Sequence, residues 1–236
     1  MRQINDPGLV REQYAREDNL RARQSIYANA EGPDAREIAF DAVAETRPIR
    51  VLEVGGGQGE LAERLSRELG VELTLVDQSE RMVEIARERG LDAQVGDVQR
   101  LAFGDGSFDC AIAAWMLYHV QDVDLAVAEL ARVLKPGGRL VAVTNGAGHL
   151  RELRELARHD WWAARPFSRE NGAEILGSRF SAVERRDAEG WVEIPTDEAI
   201  WDYLGSMSTV APPGELPPHA LPLRVRRISS VFVATK

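Results

Sequence analysis

The chain has 236 residues, 44% of them hydrophobic and 28% charged, an ordinary composition for a folded domain that excludes wholesale disorder. Its formal net charge of −9 gives no overall attraction to phosphate backbones, so nucleic acid is not an expected partner. The single cysteine, Cys110, excludes a disulfide framework and a cysteine-based zinc site.

The opening sequence MRQINDPGLVREQYARED contains no apolar segment of the kind a secretory leader needs. The longest apolar run, from Cys110 to Leu117, falls far short of the ~18 residues of a membrane helix. The expectation is a cytoplasmic protein with no membrane partner. Residues 1–33 are polar and helix-prone, with scattered apolar positions at Val10, Tyr14, Leu20, Ile26 and Tyr27. They read as a helical cap. Asp34 is placed to cap a helix, with Glu37 as its capping-box partner and Ile38, Ala39, Ala42 and Val43 at helical spacing behind it.

From Arg50 to Val143 short apolar runs alternate with amphipathic helices. RVLEVG, ELTLVD, DAQVGD, FDCAIAAW and RLVAVTN read as strands. Between them, Leu61, Leu65 and Leu69 form one helical stripe, and Met82, Ile85 and Ala86 a second behind the cap Ser79. Asp122 starts a third helix, carrying Val123, Ala126, Val127, Leu130 and Leu134, which Lys135-Pro136-Gly137-Gly138 ends. Such alternation requires crossover connections and a parallel sheet covered on both faces. Further on, a helix from about Gly148 to Arg158 puts His149, Leu153 and Leu156 on one face, and another begins after Ser168. FSAVERRDA and RRISSVFVATK read as an antiparallel pair closing the sheet edge. Residues 145–165 and 190–223 are expected as lid and loop segments of one domain spanning 1–236.

The first strand runs into Glu53-Val54-Gly55-Gly56-Gly57-Gln58-Gly59 and then a helix. Glycines there let a ligand approach the backbone, and the helix N-terminus attracts a negative group. Dinucleotide binding wants glycines at the first, third and sixth positions, but the sixth from Gly55 is Glu60, an acid that would face a pyrophosphate. The spacing Gly55, Gly57, Gly59 suits a smaller ligand with an amino-acid end. Asp77 closes the second strand, where a carboxylate can accept both ribose hydroxyls. Asp97 closes the third, where it can accept from an adenine amine. Each of these residues taken alone is an ordinary turn or strand end. Together they lie at the edge where open α/β sheets bind ligands.

VLEVGGGQGEL, LTLVDQS, GDVQRLAFGDGSFDCAIAAWMLYHV, LARVLKPGGRLVAVT, FSRENGAEIL and the final FVATK together resemble the class I S-adenosylmethionine-dependent methyltransferases, in particular the small-molecule type 11 group. The resemblance implies a Rossmann-like seven-stranded sheet of order 3-2-1-4-5-7-6 with the last strand antiparallel, and S-adenosylmethionine as cofactor. It places the methionine part against Glu53, Gly55, Gly57 and Gly59, with Ala113 passing close by. It gives the ribose to Asp77 with Gln78 beside it, and the adenine to Asp97 and the Val98 backbone. Tyr14, Asn19 and Arg23 resemble the helix that covers the cofactor, with Tyr14 or Arg23 on its carboxylate.

Methyl transfer from a sulfonium is an in-line displacement, and a base is needed only if the nucleophile arrives protonated. His119, after the fourth strand, and His149, beyond the fifth, are the candidates for that role. A loop-ordering function for His119 and core packing for His149 stand beside it. His159 sits next to Trp161 and Trp162, which can wall a pocket or pack a helix; Trp115 and Tyr118 flank His119 and are better placed. His219 is expected to be exposed in a proline-rich loop. Cys110 lies inside a strand, so cysteine-based cytosine methylation is not expected. No Asn/Asp-Pro-Pro-aromatic motif for methylating nucleic-acid amines is present, and no metal-ligand spacing appears. The expected function is methyl transfer to a small molecule, such as a specialised metabolite, on O, N or C. The alternatives are a non-catalytic binding or scaffold role for the same fold, and an NAD-linked oxidoreductase.

Overall fold

The computed structural model describes residues 22–159, 165–207 and 214–236. The five apolar runs form β1 (Arg50–Val54), β2 (Glu72–Asp77), β3 (Asp92–Val95), β4 (Phe108–Ala114) and β5 (Leu134–Asn145). All four neighbouring pairs among them are parallel. Successive strand side chains face opposite ways. Val51, Leu52 and Val54 are nonetheless all buried, so the sheet is covered on both faces.

One layer holds α1 (Ala35–Ala44), α2 (Glu60–Leu69) and α3 (Glu80–Glu88), packed on the face of Val51. The other holds α4 (Val123–Val133), packed on the face of Leu52 and Val54. Three expected caps form: Asp34 accepts from the Arg36 N–H, Ser79 from the Met82 N–H and Asp122 from the Leu125 N–H. Glu37 does not complete a capping box. Its carboxylate is gripped by the Arg64 guanidinium of α2 at 2.6 and 2.8 Å, a fork geometry that outcompetes a single N–H. Lys135 does not cap α4 either. The chain turns directly into β5, and the Lys135 ammonium reaches Asp109 at 2.5 Å.

Beyond β5 come the short α5 (Arg151–Leu156) and α6 (Gly172–Gly177), then β6 (Ala182–Ile194), α7 (Asp197–Gly205) and β7 (Leu223–Thr235). The observed order is β3-β2-β1-β4-β5-β7-β6, with β7 antiparallel to both its neighbours. The expected loop over 190–223 is corrected in part. Trp191–Ile194 continue β6, and Thr196 caps α7 by accepting from the Ala199 N–H. The strand read at FSAVERRDA thus runs on through Gly190, a residue that interrupts a strand pattern. No helix among the described residues is long and apolar enough to cross a membrane.

The segment entering α1 is fastened to this edge. Glu31 pairs with Trp191 in an antiparallel bridge, and Arg227 Nη2 donates to the carbonyls of Glu31, Gly32 and Pro33 at 2.7–3.1 Å. Gly190 permits the approach, because a Cβ there would lie 1.8 Å from the Glu31 carbonyl oxygen. Gly190→Ala is expected to cost about 1–3 kcal/mol of stability, as overpacking does. Gly177→Ala, where a Cβ meets nothing within 4 Å, serves as the neutral control. Equal urea midpoints for the two variants would show that the fastening contributes nothing.

Candidate functional site

The strand order reverses between β1 and β4, and the carboxyl ends of β1 to β4 open a crevice there. The glycine loop between β1 and α2 lies along it. Gly55 donates to the Val76 carbonyl at 2.7 Å. Cβ atoms on Gly55 and Gly59 would collide with Met116 at 2.7 Å and Leu91 at 2.4 Å, so packing fixes both ends of the loop. Gly57 differs. Its φ is 55°, and a Cβ on it would meet nothing within 4 Å. It is the open point of the loop, with a backbone conformation that favours glycine.

The Gly57 N–H points at Asp77 Oδ2, 3.0 Å away, and the Ser79 N–H donates to Asp77 Oδ1 at 2.9 Å. Burial raises the Asp77 carboxyl, while the N–H groups of Ser79, Gly57 and Gln78 pull it down. Gln78 is half-buried beside it. Glu53 projects under the loop and is only 2% exposed. Its Oε2 and the Nε2 of buried Gln58 have no hydrogen-bond partner among the described residues, which marks a buried acceptor and a buried donor in this segment. Burial, and then the Asp77 charge, push the Glu53 carboxyl up to about 8, against the pull of the Ala62 N–H. Glu53 is therefore neutral at pH 7.

Asp97 is held by a residue that sequence reasoning missed. The Gln99 amide donates to both its carboxylate oxygens at 3.1 Å, the Gln99 N–H adds a third bond, and Gln99 Oε1 accepts from the Asp122 N–H. Val98 is buried beside it. The Ala113 methyl packs in the core, so that residue can offer a ligand only its backbone. Arg23 lies in a helical turn at 22–25. Tyr14, Asn19, Trp161 and Trp162 lie outside the described residues.

His119 ends a 3₁₀ turn, Leu117–His119, with its ring 4.5 Å from that of Tyr118. The Arg165 guanidinium sits over Tyr118 at 4.8 Å. Trp115 is held with φ at 52°, and its indole N–H donates to Asn145 Oδ1 at 3.1 Å. His149 is 6% exposed and bonded through both ring nitrogens: Nδ1 accepts from the Ile228 N–H at 3.1 Å, and Nε2 lies 3.0 Å from the Tyr27 hydroxyl. Burial lowers its pKa to about 3, with Arg154, Arg165 and Arg227 acting in the same direction. Tyr27 carried no functional signal in the sequence, because its partner lies 122 positions away. His219 corrects its expectation. It is 13% exposed, with Nδ1 against the Pro217 carbonyl and Nε2 3.0 Å from Asp197. The Cys110 thiol is buried and pushed up to about 12. Among the described residues no His, Cys, Asp or Glu cluster is arranged to hold a metal.

Residues 52–142 match the model of a methyltransferase domain family. A ubiquinone/menaquinone biosynthesis C-methyltransferase from Saccharophagus degradans is 40% identical over 102 residues, 39% of this chain and 41% of that protein. The chain thus matches about two-fifths of that relative's length. Among solved structures, a possible histamine N-methyltransferase from Thermotoga maritima aligns over 96% of this chain and 99% of its own, at 24% identity and a TM-score of 0.63. The [4+2]-cyclase SpnF aligns over 96% and 94%, at 22% identity and a TM-score of 0.59. At these identities the structural likeness is one of fold.

Glu53 provides a direct test of the site's electrostatics. A carboxyl that binds its proton more tightly folded than unfolded stabilises fully below its unfolded pKa of about 4.5, and loses that contribution as pH rises through about 8. Glu53→Gln imitates the protonated form and lacks the loss. Urea unfolding should show the wild type losing on the order of a few kcal/mol relative to Glu53→Gln between about pH 5 and about pH 9. Parallel stability curves would mean that Glu53 is ionised throughout.

Proposed function

We propose that this chain, whose residues 52–142 belong to the methyltransferase domain family, transfers a methyl group from S-adenosylmethionine to a small-molecule acceptor. The observation that carries the reading is the open loop at Gly57, set between buried Glu53 and the strand-end carboxylate of Asp77. The unpartnered Glu53 Oε2 can accept from an α-ammonium group, and Asp77 has lone pairs left for two ribose hydroxyls. Asp97, Gln99 and the Val98 backbone are the adenine candidates, and Arg23 a candidate for the cofactor carboxylate. Glu60 opens α2 as an exposed acid, which disfavours a pyrophosphate and with it a nicotinamide dinucleotide.

The bound cofactor supplies a methyl group already activated on a sulfonium. The protein's part is placement, and orienting two reactants lowers a barrier by roughly 7–11 kcal/mol. Glu53, the glycine loop and Asp77 fix one reactant. Trp115, Tyr118, His119 and the Tyr27–His149 pair border the space beyond β4 and β5 and would orient the other. Of the two histidines, His119 is the remaining candidate for a base, because His149 has both ring nitrogens engaged. The C-methyltransferase relative makes carbon a reasonable destination for the methyl group. A cytoplasmic location and a specialised-metabolite acceptor belong to the same reading.

The second reading is a non-catalytic one, in which the same fold binds the cofactor but performs no transfer. Release of S-adenosylhomocysteine with a true acceptor separates the two. Cofactor choice is tested first: S-adenosylhomocysteine at about 100 times its dissociation constant should stabilise the chain by ~2.7 kcal/mol. NAD should give no shift, and a shift with NAD alone overturns the reading. Asp77→Ala should weaken S-adenosylhomocysteine binding about 10- to 100-fold by calorimetry, as charge-assisted bonds are lost. Unchanged affinity in a folded variant removes Asp77 from the site.

A further inference from the structure

The hydrogen bonds of His149 fix which atom carries its proton. Ile228 is a backbone N–H, which can only donate, so Nδ1 is the bare acceptor. A neutral imidazole with a bare Nδ1 carries its proton on Nε2. That proton points at Tyr27, so the Tyr27 oxygen accepts at 3.0 Å. The tyrosine's own O–H therefore cannot be spent on His149. Among the described residues His149 is the hydrogen-bond partner of this hydroxyl, and the hydroxyl proton is directed elsewhere. The rings lie 22° from parallel with centroids 6.2 Å apart, a packing that fixes the direction of the hydroxyl.

The surroundings of this donor are cationic. Arg227 and Arg36 act on the Tyr27 hydroxyl, and Arg154, Arg165 and Arg227 act on His149, so the principal charges acting on the pair from the described residues are positive. Tyr118 and Tyr203 act electrostatically on the same hydroxyl. Trp115, at the end of β4, is 6.0 Å from the Arg36 guanidinium, which places this donor on the same sheet edge as the cofactor crevice. Desolvation of the Tyr27 hydroxyl outweighs the pull of Arg227 and Arg36 and holds its pKa well above the ordinary value, so it is a donor rather than a base. A fixed donor among arginines selects an anion.

We propose that Tyr27 binds the acceptor, its hydroxyl held by the His149 Nε2–H so that its own proton is donated to a phenolate or enolate oxygen of that acceptor. The proposal rests on the methyl-transfer reading and names the acceptor class. His149 is a positioning residue that acts through Tyr27. An acceptor bound as an oxyanion has no hydroxyl proton to remove. The electron pair of the anion forms the new bond to methyl, and the pair of the broken sulfur–methyl bond returns to sulfur. Negative and positive charge cancel, and no base is needed to form the bond. Where the methyl goes to a ring carbon of a phenolate, that carbon's proton must then leave to restore the aromatic ring, and His119 is the candidate to take it.

The test uses the full chain without cofactor, so its outcome is independent of methyl transfer. The probe is 4-nitrophenol, whose phenolate absorbs visibly and which titrates near neutrality. Wild type should bind the phenolate about tenfold more tightly than the phenol, lowering the bound probe's pKa by about one unit. Tyr27→Phe keeps the ring and should abolish the shift. His149→Asn keeps an acceptor for the Ile228 N–H but removes the Nε2 donor, and should abolish it too. Absence of binding or of a shift in the wild type, or a shift that persists in Tyr27→Phe, overturns the proposal. A shift that persists in His149→Asn overturns the positioning role. Should either variant fail to fold, ¹⁵N–¹H correlation of the wild-type imidazole at pH 7 decides the tautomer. An Nε2–H signal supports the arrangement, and an Nδ1–H or doubly protonated ring overturns it.

Discussion

Two backbone N–H groups, from Gly57 and Ser79, converge on the one carboxylate of Asp77, each taking a different oxygen. The first belongs to the loop after β1, the second to the turn after β2. The carboxylate therefore joins two strand ends that the sheet only lays side by side. It also aims the Gly57 N–H inward and holds the loop away from the space above it. Glu53, one strand residue before the loop, answers this arrangement electrostatically. Burial first, and then the Asp77 charge, disfavour a second negative charge beneath the loop and push this carboxyl up to about 8. The geometry of the crevice and its charge state follow from the same small group of atoms.

The proposed acceptor side is built on a different principle. Its residues come from the turn before α1, the 3₁₀ turn after β4, the turn after β5 and the β7 strand. No single element positions them. Backbone bonds from the β7 strand do that work: Gly146 N–H donates to the Ile228 carbonyl, Leu150 N–H to the Arg226 carbonyl, and Ile228 N–H to the His149 ring. A strand that pairs antiparallel with β5 thus also sets the orientation of a side chain beyond the end of β5.

The parallel half of the fold was readable because strands buried on both faces are unbroken apolar runs, as in Val51–Val54 and Cys110–Ala114. The caps at Asp34, Ser79 and Asp122 were readable because capping is local. What was not local escaped. Glu37 sits three residues after a cap, but Arg64 of another helix claims it. The second half of β6 escaped because Gly190 breaks the strand pattern, and what makes a glycine fit there is the distant Glu31 carbonyl. The glycine loop and the acids at the ends of β2 and β3 declared themselves by spacing, whereas Gln99 and Tyr27 matter through partners that no spacing rule reaches. The expected helix from about Gly148 puts His149 on an inward face; the side chain does lie inward, but from the turn that precedes α5 (Arg151–Leu156). What periodicity could not supply was the Ile228 N–H, which decides its protonation.

Tyr27 belongs to a segment pinned at Glu31, Gly32 and Pro33 by Arg227 and by the close approach to Gly190. The stretch from Tyr27 to Glu31 spans at most about 14 Å when fully extended. On so short a tether the hydroxyl and the imidazole meet at an effective concentration of about millimolar or higher. The anchor at the sheet edge thus keeps the hydroxyl within reach of the imidazole.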